Sequence, residues 1–399
     1  MQLVLLGCTF PLGLKVMPTF VPVNLYTKKG ITVQESFLIY RHHGHHHHDH
    51  SHEHARGGGP GPGEYAPALV EFRRSGLTES VHRGAIAVCT PDGRRTRGLG
   101  HPAMPTFMRS AAKPLQALPL ITSGAARRYG LTQAELAATC GSLNGEDFQI
   151  QAVKSILGKA GLEPDILDCG PSWPLHKATY KAMQAAREKP TPLHNPCAGK
   201  HAAMLVLCAF HGWPTEDYLT NRHPVQKLIL DTVAVMTAYP REQIGVGVDG
   251  CGAPVFRLPL VAMAGAYARL AAPDKSGLEP ELAQAARELM EACLAHPEMI
   301  AGDGRICTRI MQAAPGVVLA KAGSEGSYAL ALPGQGLGVA LNIEDGGLRA
   351  LGPAVTETLH ELGILGHAAL EGPLADLHRP QISNHRGDKV CTLHAVFGL

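Results

Sequence analysis

A chain of 399 residues, 45% hydrophobic and 18% charged, can bury a large core as one big domain or two ordinary ones. Its 36 Lys and Arg residues nearly balance 34 Asp and Glu, and a formal net charge of +2 gives no electrostatic reason to expect nucleic acid or an anionic membrane as partner. Ten cysteines spread over so long a chain exclude the dense disulfide framework of a small secreted domain.

The chain opens MQLVLLGCTFPLGLKV, with no basic residue ahead of the apolar stretch and no AxA-like cleavage site after it. The segment before Cys8 is too short for a lipoprotein signal, and no uncharged apolar run reaches the roughly 20 residues that span a bilayer. A cytoplasmic location is the expectation. Residues 1–65 stand apart. The run HHGHHHHDHSHEH, His42 to His54, precedes Gly57-Gly58-Gly59-Pro60-Gly61-Pro62-Gly63, with almost nothing apolar to bury. Such composition predicts a disordered extension. Its imidazoles, with Asp49 and Glu53, suit zinc, nickel or copper. A low-complexity tail or an over-long start explains the tract as well, and a flexible tract cannot hold an active-site geometry.

A regular pattern begins near Ala66 and predicts one folded domain over residues 66–399. Short strand-like runs come first, at 68–72 and 84–89, closed by the turn signal Pro91-Asp92-Gly93. Helices are expected near 110–123, 132–139, 149–160, 198–210, 223–238, 258–270 and 280–295, several stopped by Gly or Pro. Strand-like runs return at 317–320, 328–332 and 337–343, and a last helix is expected near 352–370. Strands at both ends around a helical middle predict an α+β fold, with one antiparallel sheet built from the two termini.

Several segments carry candidate chemistry. In Arg109-Ser110-Ala111-Ala112-Lys113-Pro114 a serine and a lysine stand three apart, which on a helix lets them meet. A neutral lysine amine can take the serine proton, and Pro114 is tolerable only in a first helical turn, which places Ser110 at the helix start. Alone, S-x-x-K is a short pattern that arises by chance. Cys197, Lys200 and His201 crowd the start of another helix, and Asp249 and Cys251 sit in the Gly-rich turn Asp249-Gly250-Cys251-Gly252. Two thiols from separate loops could converge on a borderline ion such as zinc, although without a CxxC or HxxxH pair they read equally as buried structural cysteines. Ser142 lies in the polar turn Gly141-Ser142-Leu143-Asn144-Gly145-Glu146, and Lys321 ends the run 317–320.

Taken together and in order, these segments resemble the rhizobial-type, or class 3, L-asparaginases of the asparaginase II family. The likeness runs from about Ala66 to the C-terminus. It includes Glu79-Ser80-Val81-His82-Arg83-Gly84, Arg109 to Pro114, Ser142 with Gly145-Glu146, and His194-Asn195 with Cys197 to His201. Asp249 to Gly252, His296-Pro297, Lys321-Ala322-Gly323, and Pro380, Asn384 and Gly387 complete it. The resemblance implies a fold similar to serine β-lactamases and glutaminases, a homodimer, and L-asparagine as substrate. It implies two Ser-Lys pairs, Ser110 with Lys113 as nucleophile and base, and Ser142 with Lys321. It also implies zinc held by Cys197, Lys200 and Cys251, with Arg109, His201 and Asp249 contacting substrate or ordering the site. The chain departs from the family at Leu143, where histidine is usual, and at Pro196, Ala198 and Ala203. Two other readings stay open: a related amidohydrolase, such as a glutaminase, other amidase or β-lactam-directed enzyme, and a metal-binding protein with an inactive hydrolase body.

Overall fold

The computed structural model describes residues 20–26, 32–38 and 66–399, in two units, Met1–Gly58 and Gly59–Leu399. In the first unit, Phe20–Tyr26 (β1) pairs antiparallel with Thr32–Leu38 (β2). Apart from these two strands, the extension predicted to be disordered over residues 1–65, the His tract included, lies outside the described residues.

The second unit contains eleven strands: Ala68–Arg74 (β3), Leu77–Cys89 (β4), Arg95–Leu99 (β5), Pro105–Phe107 (β6), Gly245–Val248 (β7), Pro254–Pro259 (β8), Leu319–Ala322 (β9), Ser327–Leu332 (β10), Leu337–Ile343 (β11), Gln381–Ser383 (β12) and Lys389–Ala395 (β13). Eight form one sheet in the order β12-β13-β3-β4-β11-β10-β9, with β5 also pairing β4, and every pairing is antiparallel. The sheet thus joins the chain's two ends. The α+β fold expected from the sequence is the fold observed.

The middle of the sheet is dry. Val339, Ala340, Leu341 and Ile343 of β11 have no exposure, and neither do Leu330, Ala331 and Leu332 of β10. A strand buried on both faces needs a continuous apolar run, which is what these two segments supply. Helix Leu260–Ala271 packs across β4, β10 and β11. Its approach depends on Gly338, since a Cβ there would come within 2.1 Å of the Ala268 nitrogen. The helical layer includes Lys113–Thr122 (α1), Gln133–Cys140 (α2) and Ala198–His211 (α3), which pack on one another.

Two expectations need correction. The helix predicted from 110 begins as a 3₁₀ turn, Arg109–Ala112, and becomes α-helical only at Lys113. The helix predicted over 352–370 is two, Leu351–Glu361 and His367–Glu371, because Gly363 between them takes φ = 71°. Helix Lys177–Ala186, which buries only Met183, was not predicted. Among the described residues no helix is long and apolar enough to cross a membrane.

Candidate active site

A three-stranded sheet, β6-β8-β7, brings two of the predicted segments together. After β6 the Met108 N–H still donates to Phe256 O on β8 (2.9 Å), and the chain then turns at Arg109, φ = 50°. That conformation is strained for a residue with a Cβ. It directs Ser110 into the 3₁₀ turn ahead of α1. On the other side, the β7–β8 turn closes through Gly252, φ = 83°, whose N–H donates to Asp249 O. Asp249 then bridges the pieces. Its Oδ1 accepts from Arg109 Nε (3.0 Å) and from the Gly250 N–H (2.9 Å), and its Oδ2 lies 3.4 Å from Lys200 Nζ. Burial alone would raise the Asp249 pKa, but Lys200, the Gly250 N–H and Arg109 together lower it.

Ser142 follows the end of α2. The segment runs against its neighbours closely enough that a Cβ on Gly141 would stand 2.3 Å from Met299 O. Ser142 N–H donates to Ile300 O (2.8 Å), and Leu143 N–H to Pro196 O (3.0 Å). Two lysines with no exposure flank the hydroxyl, Lys321 Nζ at 2.8 Å from Ser142 Oγ and Lys113 Nζ at 3.2 Å. Lys113 also donates to Gly141 O (2.8 Å) and Pro196 O (3.0 Å), and Lys321 to Ala322 O (2.8 Å).

The direct Ser110–Lys113 contact predicted from their spacing is absent. Lys113 is the first residue of α1, and its amine reaches inward to two carbonyls and the Ser142 hydroxyl instead. Burial is the main cause of the lowered proton affinity of both lysines. For Lys113 the thiolate side of Cys197 opposes it and the Lys200 charge adds to it. Lys321 falls to about 7, with Cys307 opposing and the charges of Lys113 and Arg305 contributing.

The sulfurs of Cys197 and Cys251 and an Asp249 carboxylate oxygen lie within 4.8 Å of one another, and neither cysteine is in a disulfide. Cys197 immediately precedes α3, whose first turn presses on α2 so tightly that a Cβ on Gly199 would stand 2.1 Å from Ala138 O. Asn195 braces the approach: its Oδ1 accepts the Cys197 N–H (2.8 Å), and its Nδ2 donates to Cys169 O (2.9 Å) and Gly170 O (3.0 Å). A hydrogen bond from Cys251 lowers the Cys197 pKa despite burial, and the Lys113 and Lys200 charges reinforce it; the Cys251 pKa rises correspondingly. Burial works against a charge on Lys200, but Cys197, Cys251 and Asp249 outweigh it and raise its pKa. Two thiols with a carboxylate and an amine beside them make a donor set that suits a borderline ion.

His201 is fully buried. Its Nδ1 lies 2.6 Å from Tyr218 OH, which also accepts the Asp168 N–H (3.0 Å). Burial, with Lys200 and Lys113 nearby, keeps the imidazole neutral by lowering its pKa. Nε2 has no partner.

A cavity of about 310 Å³ is lined by Arg109, Ser110, Ser142, Cys197, Asp249, Cys251 and Lys321, among others. Lys113, Lys200 and His201 are not on its lining. Lys113 meets the lining through Ser142, and Lys200 through Asp249. Sequence reasoning missed Arg305 and Cys307, which also line this cavity. Arg305 Nη1 donates to Asn144 Oδ1 (3.2 Å), and Cys307 Sγ accepts from the Ala322 N–H (3.1 Å) and Tyr328 OH (3.4 Å). The break Gly302-Asp303-Gly304, just before a helix, was the available signal.

No curated protein matches the chain. Similar solved structures include a putative β-lactamase from Bacteroides dorei DSM 17855, at 14% identity and a TM-score of 0.36, covering 69% of this chain and 93% of that one. A β-lactamase from Mycobacterium bovis, at 14% identity and TM-score 0.34, covers 71% and 95%. Mglu in its native form, at 15% identity and TM-score 0.34, covers 72% and 62%. The profile of the family described as L-asparaginase II matches residues 70–395, nearly the whole of the second unit. The chain belongs to the L-asparaginase II family of amidohydrolases.

Proposed function

We propose that this protein is an L-asparaginase that hydrolyses the side-chain amide of L-asparagine to L-aspartate and ammonia, using a serine nucleophile served by neutral lysines. The observation that carries this reading is the Ser142 hydroxyl held between the buried amines of Lys113 and Lys321, in a cavity that Ser110 shares. Ser110 Oγ attacks the carboxamide carbon, and its proton passes to neutral Lys113. The tetrahedral oxyanion collapses to an ester on Ser110 and expels the amide nitrogen. Ser142, connecting Lys113 to Lys321, relays the proton that this nitrogen needs to leave as ammonia. Water then attacks the ester, giving aspartate and restoring the serine. A bond from Ser110 to Lys113 is not required of the resting site, since such contacts often tighten only with substrate bound.

A second reading has a specific observation in its favour. Ser142 is the hydroxyl already bonded to two amines, so it could itself be the nucleophile. Comparing ammonia release by Ser110→Ala and Ser142→Ala separates the two. A nucleophile loses at least about 10³-fold in kcat, and a relay about 10²-fold. Equal wild-type activity on asparagine and glutamine, or greater activity on glutamine, would change the substrate within the same chemistry.

Zinc at Cys197, Lys200 and Cys251 is also part of the proposal. The two sulfurs within 4.8 Å of each other support it, and Lys200, with its raised proton affinity, must give up a proton to become a ligand. The ion would supply a fixed positive charge beside the Asp249–Arg109 wall. Nine free cysteines among the described residues suit a reducing, cytoplasmic setting. We include the homodimer in the proposal, and light scattering of the purified full chain checks it.

A further inference from the structure

A second cavity, of about 720 Å³, adjoins the first, and the two share Arg305, Ile306, Ala322, Gly323 and Ser324 in their linings. Beyond that junction its walls are mainly apolar, with Leu348, Leu351, Leu377, Ile382 and Leu393. Free asparagine is small and polar and gains nothing from such a room. The apolar walls also differ from scattered surface hydrophobics in lying next to the catalytic groups.

Charge decides what could occupy both cavities at once. Asp249 is the one carboxylate lining the first cavity among the described residues, and Arg109, Lys200 and the Gly250 N–H already take its oxygens. No unpaired carboxylate remains there for an α-ammonium. Cations differ in the opposite sense. Arg109 is committed to Asp249, and Arg349, on the second cavity, donates to His82 Nε2 (2.8 Å) and Ser80 Oγ (3.1 Å) while lying over the Phe72 ring. Among the described residues Arg305 pairs only with the neutral Asn144 Oδ1, two residues from Ser142. Glu325, on the second cavity, is exposed, and its charge is screened by solvent. A ligand matched to this arrangement has a free carboxylate, an uncharged α-nitrogen and an apolar group.

We propose that the second cavity is a subsite for an apolar acyl group on the α-nitrogen of the substrate, with Arg305 at the junction gripping the α-carboxylate. The inference rests on the amide-hydrolysing reading above and extends it to N-acylated asparagine as substrate class. The reaction is unchanged: the side-chain amide is cleaved to a carboxylate and ammonia, and the acyl group stays in place.

Ammonia release by the full-length protein from L-asparagine and from N-hexanoyl-L-asparagine tests this. Burial of the hexanoyl chain should raise kcat/KM for the acylated substrate about tenfold or more over asparagine. Leu348→Asp and Ile382→Asp, at positions 65% and 39% exposed, place a charge in the subsite without opening the core. Each should reduce the acylated-to-free ratio of kcat/KM about tenfold. Arg305→Gln should raise KM for the acylated substrate more than it lowers kcat, and Arg305→Lys should recover part of the loss. If the acylated substrate is turned over no better than asparagine, or if its advantage survives both Asp substitutions, the subsite is refuted and the asparaginase reading stands. If neither substrate releases ammonia, the amidohydrolase reading falls, and this inference with it.

Discussion

Lys113, Lys200 and Lys321 are equally hidden, with at most 3% exposure, yet the protein treats them in opposite ways. Around Ser142 the lysines meet carbonyls and a hydroxyl, burial prevails, and Lys321 drops to about 7. Around Asp249 the lysine meets two thiols and a carboxylate, and its proton is held more tightly than usual. Burial therefore does not by itself make a lysine a base. The neighbours determine whether the desolvated amine keeps its proton, and here two adjacent clusters give the two answers. In the proposed mechanism one side of the cavity moves protons and the other holds charge.

Replacing Lys321 with methionine tests the proton-moving side and should have the largest effect, a fall of about 10²–10⁴-fold in kcat. Lys321 must be neutral to accept a proton, so activity of the wild type should rise with pH through about 7 and level off above it. A profile that falls across that range would show that the charged form is the working one. The contrast sharpens with Asp249→Asn, which leaves Lys200 and Arg109 without their shared anion. Removing one partner of a buried ion pair costs about 3–5 kcal/mol, read as a lower denaturant midpoint with an unchanged slope.

A subtler test uses stability. Lys321 has an ordinary value of 10.5, and folding depresses it to about 7. Between those limits the unfolded chain carries a proton that the folded chain lacks, so the stability associated with this group is complete above 10.5 and lost as pH falls through 7. Lys321→Met should therefore gain about 1–4 kcal/mol over the wild type near pH 6–7, and the gain should shrink toward pH 10. Thermal unfolding across that range is the measurement. The smallest effect belongs to Tyr218→Phe, which removes the hydroxyl that pairs with His201 Nδ1 and accepts the Asp168 N–H. Its cost is about 1–3 kcal/mol in stability, with kcat within about tenfold of wild type.

Much of the fold was legible because its signals are local. The apolar runs of β10 and β11 and the caps and breakers of the middle helices lie within a few residues of what they specify. Strand β13, KVCTLHA, was not recognised, because its register depends on β3, more than 300 residues earlier in the chain. The same divide applies to the site. Ser110, Ser142, Cys197, Asp249, Cys251 and Lys321 were all found in the sequence, and they do line one cavity. Spacing suggested that Lys113 would serve Ser110, but the buried carbonyls of Gly141 and Pro196 compete for the amine and draw it toward Ser142. No i,i+3 rule contains those carbonyls. Arg305 and Cys307 were missed for a similar reason, since they matter only through their meeting with Asn144, Ala322 and Tyr328.

Peptide mapping of the full-length protein after reaction with an electrophilic asparagine analogue tests the central claim most directly. The account expects one covalent adduct, on the peptide containing Ser110, formed faster as pH rises through about 7 and abolished by Ser110→Ala. An unlabelled protein that still releases ammonia from asparagine, or an adduct only on a residue outside the cavity, would contradict it.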